Sequence, residues 1–397
     1  MQKKLMVLGA GILQLPAIIA AKKMGLEVLA ADIDRNAVGF RYADVCIPVS
    51  TTDILGIVRS ARRHAIDGIM TLATDMPVRS AAAAAKALHL PGISEETAMR
   101  ATNKFLMRTR LKEMGIPVPG FYCAGNTGAF RDAAARLKGK FIVKPADNAG
   151  SRGVFLVEDP RDTKTAAFAF AYAMKHSLCG EVVLEEFMEG PEVSVEALSV
   201  GGCAHVVAVT DKLTFGPPGF VERGHSQPSQ LPAGMVDEIK KTAVKAVWAL
   251  GIEEGPSHTE IIVTGEGPKI VEIGARLGGD NITTHLVPLS TGVDLVGCCI
   301  RAALGETPDL KIKNHAGSAI RYFNAPPGRI VSIRHAGEAE MLPGIRQVCF
   351  VKTVGETVGG IQNSTDRIGF VIAQCADAQS AIRACDEAAS LIRIEIA

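Results

Sequence analysis

The stretch Gly255–Asp280, GPSHTEIIVTGEGPKIVEIGARLGGD, narrows the possible folds more than any other part of the chain. Two runs rich in Ile and Val, HTEIIV and PKIVEI, are joined by a Gly-Glu-Gly-Pro turn, the signature of an antiparallel hairpin. Each run carries one carboxylate among apolar residues, Glu260 in the first and Glu272 in the second. A carboxylate in a buried strand is costly unless something neutralises it. Two on adjacent strands, with Arg276 close behind, point to a hard-cation site beside an anion. Mg²⁺ takes a few carboxylate oxygens and completes its octahedron with water and phosphate. The competing reading is a salt-bridged hairpin, Glu272 pairing with Arg276.

Residues 1–100 alternate apolar strand-like runs with Ala-rich helical ones, a doubly wound α/β pattern. Gly9-Ala10-Gly11 with Asp32 matches a dinucleotide fingerprint only in part, because Gln14 stands where the third glycine belongs. Thr74-Asp75 follows a strand and is expected as a helix N-cap. The basic and apolar start has a signal peptide's composition, but LMVLGAG reads as a buried strand of this βαβ unit.

Three further segments suit a nucleotide. Residues 101–117 read as a helix with Lys104 in its first turn, where a lysine does nothing for the helix dipole and can reach a phosphate. In Phe141–Val157, a strand delivers Lys144, and the small, flexible Ala149–Gly153 loop follows. The exposed N–H groups of such a loop can wrap phosphate oxygens, with Lys144 or Arg152 adding charge. In Val182–Glu196, an acidic-apolar linker joins two strands; its backbone between Glu185 and Met188 can bond adenine, and Glu192 can accept from ribose hydroxyls. Thr210–Pro228 reads as a long polar excursion, with Lys212, Glu222, Arg223, His225 and Ser226 as substrate-contacting candidates. Met235–Gly251 is an amphipathic helix whose Trp248, the one tryptophan, is expected in the core. Gly278-Gly279-Asp280 forms a tight turn beside the metal candidates. The remainder, 311–397, is a set of short strands and a final helix.

A chain of 397 residues needs two or three domains. A formal net charge of +1 gives no global field to recruit nucleic acid or an anionic membrane, and no apolar run is long enough to span a bilayer. Nine scattered cysteines without a C-x-x-C fit neither zinc site nor disulfide framework and suit a reducing cytoplasm.

The order of these parts resembles the ATP-grasp superfamily of carboxylate–amine ligases: lysine on a helix, lysine strand with Gly loop, Glu-Glu-Phe-Met linker, polar segment, Glu…Glu…Arg. GPEVSVE, GHSQP and EIGARLGGD resemble the L-amino-acid ligase and carnosine-synthase-like group within it. The resemblance implies an α/β ATP-grasp fold, with a Rossmann-like pre-ATP-grasp domain at 1–100. An ATP-grasp domain would follow at 101–310, its lid about 115–188, with a C-terminal α+β region at 311–397. It implies ATP contacts from Lys104, Lys144, Ser151, Arg152, Gly153, Glu185, Glu186, Met188 and Glu192. Mg²⁺, with Mn²⁺ as an alternative, would sit on Glu260 and Glu272. Arg276 would stabilise charge developing in transfer, with Lys212 as a second catalytic candidate. Glu222, His225, Ser226, Gly278, Gly279 and Asp280 would face the small-molecule carboxylate and amine. Relatives are often dimers, so a homodimer is open. One departure stands out: Gly274 occupies the position where this family commonly has Asn, and Asn281 is a candidate substitute.

Overall fold

The computed structural model describes residues 2–217, 220–361 and 363–397. Its first unit is a four-stranded parallel sheet in the order Val45–Ile47, Glu27–Ala31, Lys4–Leu8, Gly68–Thr71. Strand Lys4–Leu8 lies between two parallel neighbours and is buried almost throughout, the environment that a continuous apolar run dictates. At the Gly9 turn the Gln14 side chain stands where the third glycine of a dinucleotide fingerprint would be. A Cβ on Gly9 would meet the Gln14 side chain at 2.9 Å, and Gln14 Nε2 donates to the Leu72 carbonyl at 2.7 Å. Asp32 is likewise used internally, accepting from the Ala10 N–H at 2.8 Å.

The second unit is an eight-stranded sheet. Its order is Gly267–Gly274, Gly255–Thr264, Glu192–Val200, Cys203–Thr214, Glu222–Gln227, Gly317–Phe323, Gly369–Cys375, Ile345–Phe350. Strands on both sides of residue 310 therefore share one sheet. The expected polar excursion at 210–228 is mostly ordered: Cys203–Thr214 and Glu222–Gln227 pair antiparallel, Lys212 opposite His225. Alternation along Glu192–Val200 explains how that sheet divides its faces. Val193 and Val195 pack against helices Lys104–Glu113 and Ala233–Leu250, while Glu192, Ser194 and Glu196 point the other way. Trp248 does not join this core; it is 63% exposed, because the helix turns Val247 and Leu250 inward instead.

A four-stranded antiparallel sheet, Phe121–Ala124, Val182–Glu186, Phe141–Pro145, Phe155–Val157, with helices Thr127–Ala134 and Thr163–His176, forms a separate layer with its own core. Helix Leu295–Ala303 joins the first unit to the large sheet, Val296 and Ile300 packing in one cluster with Leu5, Val7 and Ile18. Among the described residues, no single helix is long and apolar enough to cross a membrane.

Candidate active site

The polar face of the large sheet, the ends of the first unit's strands and the small antiparallel sheet enclose a cavity of about 1080 Å³. Strand register sets its floor. Glu272 lies directly opposite Glu260, and Glu260 opposite Ser194, so three polar side chains from three strands stand in one row. The two carboxylates are not paired with Arg276. Glu272 Oε1 receives Lys104 Nζ at 2.9 Å, and that ammonium also donates to the Asn148 carbonyl of the glycine loop at 2.5 Å. Glu260 Oε2 faces Lys212 Nζ at 3.4 Å and Glu260 Oε1 faces His258 Nε2 at 3.4 Å. Burial would raise the Glu260 carboxyl, but Lys212 and His258 hold it well below the usual range.

Lys212 sits at the centre of three glutamates, 2.8 Å from Glu192, 3.4 Å from Glu260 and 3.7 Å from Glu222. Burial works against its ammonium, yet these carboxylates lift it well above its ordinary value, so it is a fixed cation and no proton donor. Burial pushes Glu192 upward even with Lys212 attached. The second lysine, Lys144, is 2.6 Å from Glu185, whose other oxygen lies 2.9 Å from the fully buried Arg108. Burial lowers the Lys144 ammonium despite Glu185, and Arg108 and Lys144 together hold Glu185 low against its own burial.

Most predicted residues reach this cavity. Ser151, Arg152, Glu185, Glu186 and Met188 line it, as do Glu222, His225, Gly279 and Asp280. The Glu185 carboxylate is committed to Arg108 and Lys144, and so holds Lys144 in the cavity. Three readings need correction. Gly153 lies behind the wall; a Cβ there would strike His176 and Pro145. Ser226, next along the strand from His225, falls on the opposite face and is buried. Gly278 is packed under Glu196 and His258, its N–H donating to Glu196 at 3.3 Å. Asp75 also departs from expectation: it does not cap a helix but binds Arg276 through two bonds, 2.9 and 3.0 Å.

Sequence reasoning missed Arg108, Ser194, Glu196, His258 and Arg367. Ser194 and Glu196 were signalled by the E-V-S-V-E alternation, and His258 by its spacing of two from Glu260. Arg367 carried no local signal. It clamps Asp280 at 2.6 and 2.9 Å and lies over the Tyr322 ring at 3.7 Å, while His225 Nε2 stands 3.3 Å from the same carboxylate.

His258 yields a pH prediction. Its burial would depress the imidazolium, but Glu196 at 2.5 Å overrides that and raises it to about 9. A raised folded value stabilises fully below the unfolded value and is lost as pH rises through the folded one. Metal-free protein should therefore lose urea resistance between about pH 6.5 and 9. His258→Gln should flatten that slope; an unchanged slope in the variant would refute the assignment.

The donor set fits the divalent cation such a site implies. Among the described residues no cluster of three or more His, Cys, Asp or Glu could hold a metal alone. Two cross-strand carboxylates are what Mg²⁺ asks of a protein when phosphates supply other oxygens. The Ser194 hydroxyl, buried beside Glu260 on the cavity wall without a hydrogen-bond partner, adds a polar atom that awaits a ligand.

The ATP-grasp domain family matches residues 137–284, and L-amino acid ligase C-terminal domain 2 matches 321–397. Protein y4rH of Sinorhizobium fredii is 30% identical over 74% of this chain, which spans 61% of that protein's length. The L-arginine-specific L-amino acid ligase of Bacillus subtilis is 26% identical over 70% of this chain and 67% of its own. The formate-dependent phosphoribosylglycinamide formyltransferase of Burkholderia lata is 26% identical over 86% and 84%. The L-amino acid ligase structure from Bacillus licheniformis superposes with a TM-score of 0.85 over 100% of this chain and 99% of that one, at 23% identity. The chain has the ATP-grasp fold, with a match to the ATP-grasp domain at 137–284 and to L-amino acid ligase C-terminal domain 2 at 321–397.

Proposed function

We propose that the protein joins the carboxylate of an amino acid to an amine, using ATP and Mg²⁺ and passing through an acyl-phosphate. A carboxylate oxygen attacks the γ-phosphorus, the bond to the bridging oxygen of ADP breaks, and ADP leaves. The amine nitrogen, as its free base, then attacks the carbonyl; the C–O bond to phosphate breaks, and phosphate and a proton depart. The observation that carries this reading is the row of Glu272 and Glu260 lining one cavity together with Lys104, Lys144 and Arg276.

Each residue has a role that its surroundings allow. Lys104, Lys144, Ser151 and Arg152 hold the phosphates. Of the successive N–H groups at 186–188, Glu186 and Phe187 are bonded to Gly120 and Lys140, so the base edge falls to Met188. Glu192, held by Lys212, faces the ribose. Glu260 and Glu272 would hold Mg²⁺, which neutralises the phosphoryl oxygens when bound. Arg276 binds the oxygens of the acyl-phosphate and the tetrahedral oxyanion, to which its planar fork is suited. The acid and amine occupy the part lined by Glu222, His225 and Asp280. We place the enzyme in the cytoplasm, where its nine free thiols remain reduced.

The formyltransferase relative favours a second reading, in which the acid is as small as formate and the amine belongs to a phosphoribosyl compound. One experiment separates them. Protein is incubated with Mg-ATP, hydroxylamine as a general amine, and either the twenty L-amino acids in pools or formate. Hydroxamate from an amino-acid pool is the expected result. Hydroxamate from formate alone would favour the second reading, and ATP binding without hydroxamate from any acid would count against a ligase.

A further inference from the structure

Arg276 is held from outside its own sheet. It follows strand Gly267–Gly274, and its guanidinium reaches the Asp75 carboxylate, Nε to Oδ1 at 2.9 Å and Nη2 to Oδ2 at 3.0 Å. Asp75 stands just beyond the first unit's strand Gly68–Thr71, and the two chain segments are joined next to it. Leu72 and Leu277 form a parallel bridge, and the Ala73 N–H donates to the Leu277 carbonyl at 3.1 Å. Both partners are largely buried on the cavity wall, with side chains 12% and 10% exposed, so the pair is a built contact and no surface ion pair. A guanidinium has five N–H bonds in a rigid fork. Asp75 takes two and the Leu277 carbonyl lies 3.4 Å from Nη1, leaving one hydrogen on each terminal nitrogen for a ligand.

Position 274 fits the same contact. A Cβ there would lie 2.7 Å from Asp75 Oδ1, 3.0 Å from Arg276 Cζ and 3.1 Å from its Nε. Any side chain at this position would have to displace the pair. Gly274 needs no unusual backbone angle, so the demand is for space alone.

We infer that Asp75 is the positioning residue for Arg276, and that position 274 is glycine because the Asp75–Arg276 pair fills the room a side chain would need. The first unit thereby fixes the direction of a group beside the large sheet, and the residual N–H pair is left for the reacting phosphoryl. This rests on the role given to Arg276 above. Misplacing such a group by about 1 Å costs on the order of 100-fold in rate.

The test uses Asp75→Asn, Gly274→Ala, Arg276→Ala and the double variant D75N/R276A. Hydroxamate formation from Mg-ATP, the L-amino-acid pool and hydroxylamine gives kcat and the ATP KM; calorimetry with Mg-AMP-PNP gives nucleotide affinity and shows that each variant is folded. D75N and G274A should each lower kcat about 100-fold, with ATP KM and AMP-PNP affinity unchanged. G274A matters because it leaves both charges in place. In the R276A background, D75N should add nothing, because the group it orients is gone. Full kcat in D75N and G274A beside an inactive R276A would overturn the inference and leave the ligase reading standing. Equal losses from D75N with and without Arg276 would overturn it too. An active R276A would remove its premise, and an inert wild type would sink both readings.

Discussion

Arg276→Ala is expected to lower kcat about 100- to 1000-fold while leaving Mg-ATP affinity close to that of the parent, because removing one donor to a developing oxyanion costs that much. The guanidinium lies beside Glu260 and Glu272, on the wall where the acyl-phosphate would form, and Asp75 keeps its fork turned. A nucleotide-binding role would instead raise the ATP KM in step with the loss. Single-turnover phosphate release, with AMP-PNP affinity measured alongside, separates the two. Unchanged turnover would remove Arg276 from the mechanism. Asp75 would be left with a cation of no catalytic consequence.

The second large effect is on stability. Glu185 lies between two buried cations, Arg108 at 2.9 Å and Lys144 at 2.6 Å, with side-chain exposures of 0% and 7%. Glu185→Gln keeps the shape and removes the charge. Leaving buried charges uncompensated costs about 3–5 kcal/mol, and the urea midpoint should fall accordingly. ATP binding should weaken as well. Burial already lowers the Lys144 ammonium and Glu185 opposes that, so without Glu185 the lysine loses its charge more readily. A variant as stable as the parent, with undiminished ATP affinity, would show that the pair is not what holds Lys144 in place.

Those two residues also show where the sequence was readable. The hairpin around Glu260 and Glu272 follows from two Val/Ile runs and a Gly-rich turn, and the register that sets the glutamates opposite each other needs nothing distant. The first parallel sheet was legible for the same reason: its buried strands are continuous apolar runs. Partner identity was not. Arg276 chose Asp75, about two hundred positions away, over Glu272 on the strand just before it, because the bridge between Leu72 and Leu277 brings that carboxylate alongside. Arg367 reached Asp280 in the same manner, from beside a sheet whose strands run from residue 192 to 375. Trp248 failed for a simpler reason. A helix offers only one stripe to a core, and residues of comparable hydrophobicity on either side of Trp248 occupy it. Periodicity fixes which face is buried; it does not say which distant charge will meet a charge left inside.

The central claim is that a substrate carboxylate is phosphorylated before the amine attacks, and an isotope label tests it directly. The acid found in the hydroxamate screen is prepared with ¹⁸O in its carboxylate and turned over with Mg-ATP and amine. The released phosphate is then weighed by mass spectrometry. Transfer through an acyl-phosphate predicts one ¹⁸O in each phosphate, carried from the carboxylate when the C–O bond breaks. Unlabelled phosphate alongside condensed product would mean that the carboxylate was never joined to phosphorus, and would contradict the mechanism assigned to this cavity.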